Sequence, residues 1–258
     1  MPWCPVTIGT NELRPESPHP LTASARTERV DDHRVEQLQL ETPHGPARAH
    51  LHPVPGAVAT LVLGHGAGGG VGAPDLVAVT RAATAAGVGV VLVDQPYRVA
   101  GRRSPAPARQ LDEAWAAVVA HLRRGDVQGV LVTGGRSSGA RVACRTAEET
   151  RAAAVLCLAF PLHPPRRSAH APPRTRRPEL DAVGVPVLVV QGDRDPFGMP
   201  APSATREVVR VSADHALGTD LATVAAAVVG WLGAVVSATA TRRRDPPRTG
   251  PTPAPDGP

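Results

Sequence analysis

A serine framed by glycines is the first residue of this chain whose setting could do chemistry. Gly135-Arg136-Ser137-Ser138-Gly139 follows the apolar run from Gly129 to Thr133 and opens a helix-like segment from Ala140 to Ala147. A strand, a sharp turn and a helix in that order hold a hydroxyl exposed at the top of a sheet, and the flanking glycines leave room where backbone meets backbone. Such a hydroxyl becomes a nucleophile when a base within hydrogen-bond reach takes its proton and a carboxylate orients the base. A glycine-rich strand end with an ordinary helix-capping serine is the competing reading.

Both partners follow in the order serine, acid, histidine. Pro186 to Gln191 reads as a buried strand, and Gly192-Asp193-Arg194-Asp195-Pro196-Phe197-Gly198 as the loop at its end. A second β run, Glu207 to Val211, leads into Ala213-Asp214-His215. Asp195 lies further out on its loop, where it can turn toward a histidine beyond the next strand, and Asp193 is the reserve. The expected catalytic set is Ser137, Asp195 and His215.

Acyl transfer also needs two backbone N–H donors where negative charge develops on the carbonyl oxygen. The strand pattern Ala59 to Leu63 runs into Gly64-His65-Gly66-Ala67-Gly68-Gly69-Gly70, the natural source of one donor. Ala67 and Ser138 are assigned as the oxyanion hole. The same glycines fit a dinucleotide-binding turn through Gly64, Gly66 and Gly69, with Asp94 at the end of the next strand as the ribose acid. That reading leaves Ser137, Asp195 and His215 without a purpose.

The ordered set Leu63 to Gly68, Asp94-Gln95-Pro96-Tyr97-Arg98, Gly134 to Arg141, Phe160 to Pro165 and Gln191 to Gly198 resembles the α/β-hydrolase superfamily. It resembles in particular the subfamily of testis-expressed protein 30 and NSL-complex subunit 3, near the dienelactone hydrolases. The resemblance covers about residues 34 to 237. It implies Ser137 as nucleophile, Asp195 as acid and His215 as base, with no metal or organic cofactor, and it names no substrate. A catalytically silent, hydrolase-like interaction module is the alternative function.

The elements that would position these residues alternate between β and α patterns, which argues for an α/β fold: a mostly parallel, doubly wound sheet with helices on both faces and no separate lid domain. An opening hairpin is expected near 34–41 and 47–52. Helices are expected at Pro74 to Ala86, Ala108 to Arg123, Ser138 to Thr150 and Thr219 to Val236. The domain is bounded at 34–237, between a 1–33 extension and a 238–258 Pro/Arg-rich tail that both read as disordered. The loop from Phe160 to Glu179 is expected to shape the pocket.

The 258 residues carry a formal net charge of +5, and with no lysine in the chain that positive charge comes from arginine. Arg98, Arg102, Arg103 and Arg109 follow one strand, and Arg166, Arg167, Arg174, Arg176 and Arg177 follow another, with no acid among either group. Loops after parallel strands lie where ligands bind, so both groups should rim the site and favour an anionic small molecule. Arg136, His65 and Arg98 are the residues expected to meet it.

Aromatic residues make up 2% of the chain, which argues against a base-stacking platform and hence against nucleic acid as partner. Leu221 to Val236 is apolar but shorter than the ~20 residues a membrane span requires. With no basic segment leading an apolar run at the N-terminus, a cytoplasmic location is expected. Cys4, Cys144 and Cys157 show neither paired framework nor metal-ligand spacing, so no metal site is expected. No oligomeric state is read from the sequence.

Overall fold

A computed structural model describes residues 35–164 and 174–244, the side chains of 242–244 excepted. All of these belong to one compact unit. The expected disorder of 1–33 lies outside the described residues, as does much of the Phe160 to Glu179 loop.

Three apolar runs become the centre of a sheet because residues buried on both faces need no polar alternation. They are β3 (Ala59–Gly64), β5 (Val130–Arg136) and β7 (Val187–Gly192), each entirely or almost entirely buried. With β1 (Glu36–Leu40), β2 (Ala47–His52), β4 (Val88–Asp94), β6 (Ala154–Leu158) and β8 (Arg206–Val211) they form one eight-stranded sheet in the order β1-β2-β4-β3-β5-β6-β7-β8. The β1–β2 hairpin is antiparallel and β2 joins β4 antiparallel, while β4, β3, β5, β6, β7 and β8 run parallel to one another.

Side chains alternate across each strand, so two cores form. Leu61, Leu63, Val90 and Leu92 point to a core with Leu76, Val79, Val224, Val228, Trp231 and Leu232. These belong to helices α1 (Pro74–Ala85) and α6 (Leu221–Arg244). Val62, Val91 and Val93 point the other way, to Trp115, Val118, Val119 and Leu122 of α3 (Ala108–Leu122). Beside it, Ala140, Ala143 and Cys144 of α4 (Ser138–Arg145) pack with Cys157 and Val189. The mostly parallel sheet with helices on both faces is as expected.

Four elements differ, the first being α4, which ends at Arg145 rather than Thr150 and gives way to turns over 146–150. Helices α2 (Pro96–Val99) and α5 (Arg177–Asp181) stand where loops were expected; each opens with proline in its first turn, whose missing N–H costs nothing there. Helix α6 runs eight residues past Val236, so 238–244 are helical rather than tail. Alanine and arginine are good helix formers, and Pro246 comes only after the last turn. Leu221–Thr241 is therefore long and apolar enough to cross a membrane, and shortness does not argue against it. What the structure shows is a stripe, Val224, Val228, Trp231, Leu232 and Val235, buried in the core with α1.

Candidate active site

Strand β5 ends at Arg136, and the chain turns at once into α4. Ser137 makes that turn with φ 52° and ψ −105°, a left-handed conformation that is costly for a side-chain-bearing residue. Its N–H donates to the Leu158 carbonyl at 2.8 Å, which ties the turn to β6. The turn closes against the end of β3: a Cβ on Gly139 would collide with the Gly64 carbonyl, and one on Gly135 would do the same. The two glycines are the condition for the serine's position.

His215 arrives from the loop after β8. Its Nε2 lies 3.0 Å from Ser137 Oγ, and its Nδ1 lies 2.8 Å from Asp195 Oδ2. A carboxylate at Nδ1 fixes the tautomer with the proton there, leaving Nε2 to accept from the serine hydroxyl. Phe197 meets the imidazole edge to face at 4.5 Å between ring centres.

The Asp195 side chain is fully buried. Its Oδ2 accepts from His215 and, at 2.8 Å, from Gln191 Nε2, while Oδ1 accepts from the Phe197 N–H at 2.9 Å. Asp193 points elsewhere: its Oδ1 accepts from the Ala213 N–H and pairs with Arg194. Of the two acids weighed from sequence, Asp195 is the one beside His215.

The loop after β3 lies against the serine, since a Cβ on Gly66 would sit 3.6 Å from Ser137 Cβ. Tyr97 Oη holds this loop by donating to the Ala67 carbonyl at 3.0 Å. Among the described residues, neither the Ala67 nor the Ser138 N–H bonds to a protein acceptor.

Two residues expected to meet substrate are engaged by the protein instead. His65 is 3% exposed; its Nε2 accepts from the Gln95 N–H at 3.1 Å, so Nδ1 carries the proton and donates to the Gly66 carbonyl at 2.8 Å. Burial holds its pKa below the ordinary value, against the opposing pull of that Gly66 bond and of Asp94. Nδ1 serves the glycine loop and Nε2 the Gln95 N–H ahead of α2, so both ring nitrogens of the residue expected to meet substrate are engaged within the protein.

Arg136 is likewise committed. Its Nε lies 3.0 Å from Asp75 Oδ2, and its Nη2 donates to the His215 carbonyl at 3.0 Å. Two of its three nitrogens are thus turned toward Asp75 and the His215 carbonyl, while Nη1 lies over Gly66. Arg98, the third residue, is half-buried near Gly70 of the glycine loop and pairs with no carboxylate among the described residues. Of the other basic residues, Arg109 pairs with Glu113, Arg177 with Asp181, and Arg176 donates to the Pro161 carbonyl. Arg166 and Arg167 lie outside the described residues.

Sequence reasoning gave no role to Asp75, Gln191, Tyr97 or Phe197, although the last three stand in the motifs that carry the resemblance. Asp75 had a readable signal, an acid on the inward stripe of a helix whose next turn buries Val79. The dinucleotide reading loses its acid, because Asp94 Oδ2 pairs with His50 Nε2 at 2.9 Å. No cluster of three metal-ligating side chains occurs among the described residues.

Solved structures share this architecture at low sequence identity. Est1E from Butyrivibrio proteoclasticus superposes with a TM-score of 0.62 at 16% identity, covering 78% of this chain and 99% of its own. A dienelactone hydrolase from Anabaena variabilis gives 0.63 at 18% identity, covering 79% and 98%. XC6422 from Xanthomonas campestris, described as an α/β serine hydrolase without lid, gives 0.58 at 20% identity, covering 83% and 96%. The sequence matches no curated protein. A family model described as an alpha/beta hydrolase domain matches residues 57–217, more than half of the chain, and the protein belongs to that family.

Proposed function

We propose that the protein is a serine hydrolase that cleaves a carboxylic ester, thioester or lactone of a small molecule through an acyl-enzyme on Ser137. One observation carries the reading: a continuous relay from Ser137 Oγ through both nitrogens of His215 to a buried Asp195. Within the family, the motifs around Gly64, Ser137 and Asp195 favour a place beside testis-expressed protein 30 and the dienelactone hydrolases.

In this mechanism Ser137 Oγ attacks the carbonyl carbon as its proton passes to His215 Nε2. Asp195 holds the tautomer and stabilises the imidazolium. The carbonyl oxygen becomes an oxyanion, met by the Ala67 and Ser138 N–H groups. The imidazolium protonates the leaving group as the C–O or C–S bond breaks. A water then gives its proton to Nε2 and attacks the acyl carbon, and the acid leaves as Oγ regains a proton. No metal or organic cofactor enters. An anionic group on the substrate has Arg98 as its candidate partner, since Arg136 is committed.

Labelling with a fluorophosphonate probe and peptide mapping tests the proposal on native protein and on Ser137→Ala. Label on Ser137 that disappears in the variant supports it. Absence of label on folded protein overturns it in favour of a silent interaction module.

A further inference from the structure

We propose that Arg136 and Asp75 are a buried positioning pair that sets where His215 stands relative to Ser137. The inference deepens the serine-hydrolase reading and rests on it. Arg136 immediately precedes the serine, and its side chain reaches three other parts of the chain. Nε meets Asp75 in the first turn of α1, Nη2 donates to the His215 main-chain carbonyl, and Nη1 lies over Gly66, where a Cβ would sit 2.9 Å away. One guanidinium thus spans the nucleophile turn, the base loop, the oxyanion loop and a core helix.

The need for such a tie follows from where His215 sits. Its ring is held by Ser137, Asp195 and Phe197, yet its backbone belongs to the connection between β8 and α6. A ring held only at its tip can still ride on a drifting main chain. The Arg136 bond at 3.0 Å fixes that main chain to the residue beside the nucleophile. Displacing catalytic groups by about 1 Å can cost on the order of 100-fold in rate, so a tie of this kind governs rate without touching substrate.

Asp75 makes the arrangement tolerable. The Arg136 side chain is 16% exposed and that of Asp75 is fully buried, so each needs the other to offset lost hydration. Burial pushes the Asp75 carboxyl up from its ordinary range, and the guanidinium opposes that push. The pair adds no net charge beside the imidazole. A lone arginine there would repel the imidazolium that forms during turnover, and Asp75 removes that penalty.

The test uses the full chain, a fluorophosphonate probe and p-nitrophenyl acetate as neutral ester. In Arg136→Met, the labelling rate constant and kcat should fall about 10- to 100-fold with KM nearly unchanged. The downfield His215 Nδ1–H proton resonance should broaden or vanish. Arg136→Lys should restore part of the rate, because an ammonium keeps one donor. The double variant Arg136→Met/Asp75→Leu, which buries no charge, should regain thermal stability but not rate.

Wild-type rates in Arg136→Met, a loss confined to KM for anionic esters, or a double variant that regains both stability and rate would each overturn the proposal. Unlabelled wild-type protein would instead remove the hydrolase reading. The proton spectrum then decides the positioning pair by itself, an unaltered Nδ1–H signal in Arg136→Met standing against it.

Discussion

Gln191 donates through Nε2 to Asp195 Oδ2 at 2.8 Å, across the turn that ends β7. The same amide nitrogen lies 2.9 Å from the Gly198 carbonyl and 3.2 Å from that of Phe160, so it is locked from several sides. The carboxylate is thus oriented from beneath, independently of the histidine it faces.

Gln191→Met removes that support and leaves a buried charge short of one donor. A charge-assisted hydrogen bond of this kind contributes about 1.5–3 kcal/mol. The variant should show a lower Tm by thermal denaturation and about a 10-fold lower kcat on p-nitrophenyl acetate, as the carboxylate loosens. An unchanged Tm would show that the amide bond is dispensable.

Exchanging the two candidate acids separates them functionally. Asp195→Asn keeps the shape but offers Nδ1 the wrong partner, and kcat should fall by about 10,000-fold with folding intact. Asp193→Asn, whose carboxylate serves the Ala213 N–H, should leave kcat close to wild type. Steady-state ester hydrolysis by the two variants settles the assignment, and equal losses would refute it.

Ser137 holds a conformation that glycine adopts freely and other residues adopt at a cost of order 1–3 kcal/mol. Ser137→Gly should therefore abolish covalent labelling while raising stability by about 1 kcal/mol. Ser137→Ala should abolish labelling with little change in stability, since alanine inherits the same strain. Denaturant titration of the two variants reads the difference, and a less stable Ser137→Gly would contradict it.

Much of the frame was legible because its physics is local. Strands β3, β5 and β7 are continuous apolar runs, and the hairpin and most helix starts fall within a few residues of their expected places. Ser137, His215 and Asp195 were legible as an order along the chain. What escaped were long-range polar pairings. Asp75 and Arg136 are 61 positions apart, and an acid in a first helical turn reads as an ordinary complement to the helix dipole. Arg136 beside a serine reads as a hand for substrate until Asp75 and the His215 carbonyl occupy it. The length of α6 escaped because Ala-Thr-Ala-Thr looks like low complexity before its helical continuation is known.

His65 makes stability depend on pH in a definite direction. Its folded-state pKa is depressed by burial, whereas the unfolded chain titrates at the ordinary value of 6.5. Below 6.5 the unfolded state binds a proton that the folded state resists, so stability present above that pH is lost on acidification. The slope amounts to at most about 1.4 kcal/mol per pH unit. Tm measured from pH 7.5 downward should fall below pH 6.5, and the fall should be shallower in His65→Gln. Parallel curves would show that His65 does not couple.

The left-handed turn at Ser137 writes the location of the proposed nucleophile into the main chain rather than into side-chain packing around it. The glycine contacts with β3 and the Leu158 hydrogen bond would hold any small residue at that point. A thiol there would stand where the hydroxyl stands. The fold is therefore permissive about which nucleophile it displays and strict about the address, so chemistry can be exchanged at one codon while the sheet beneath it is inherited intact.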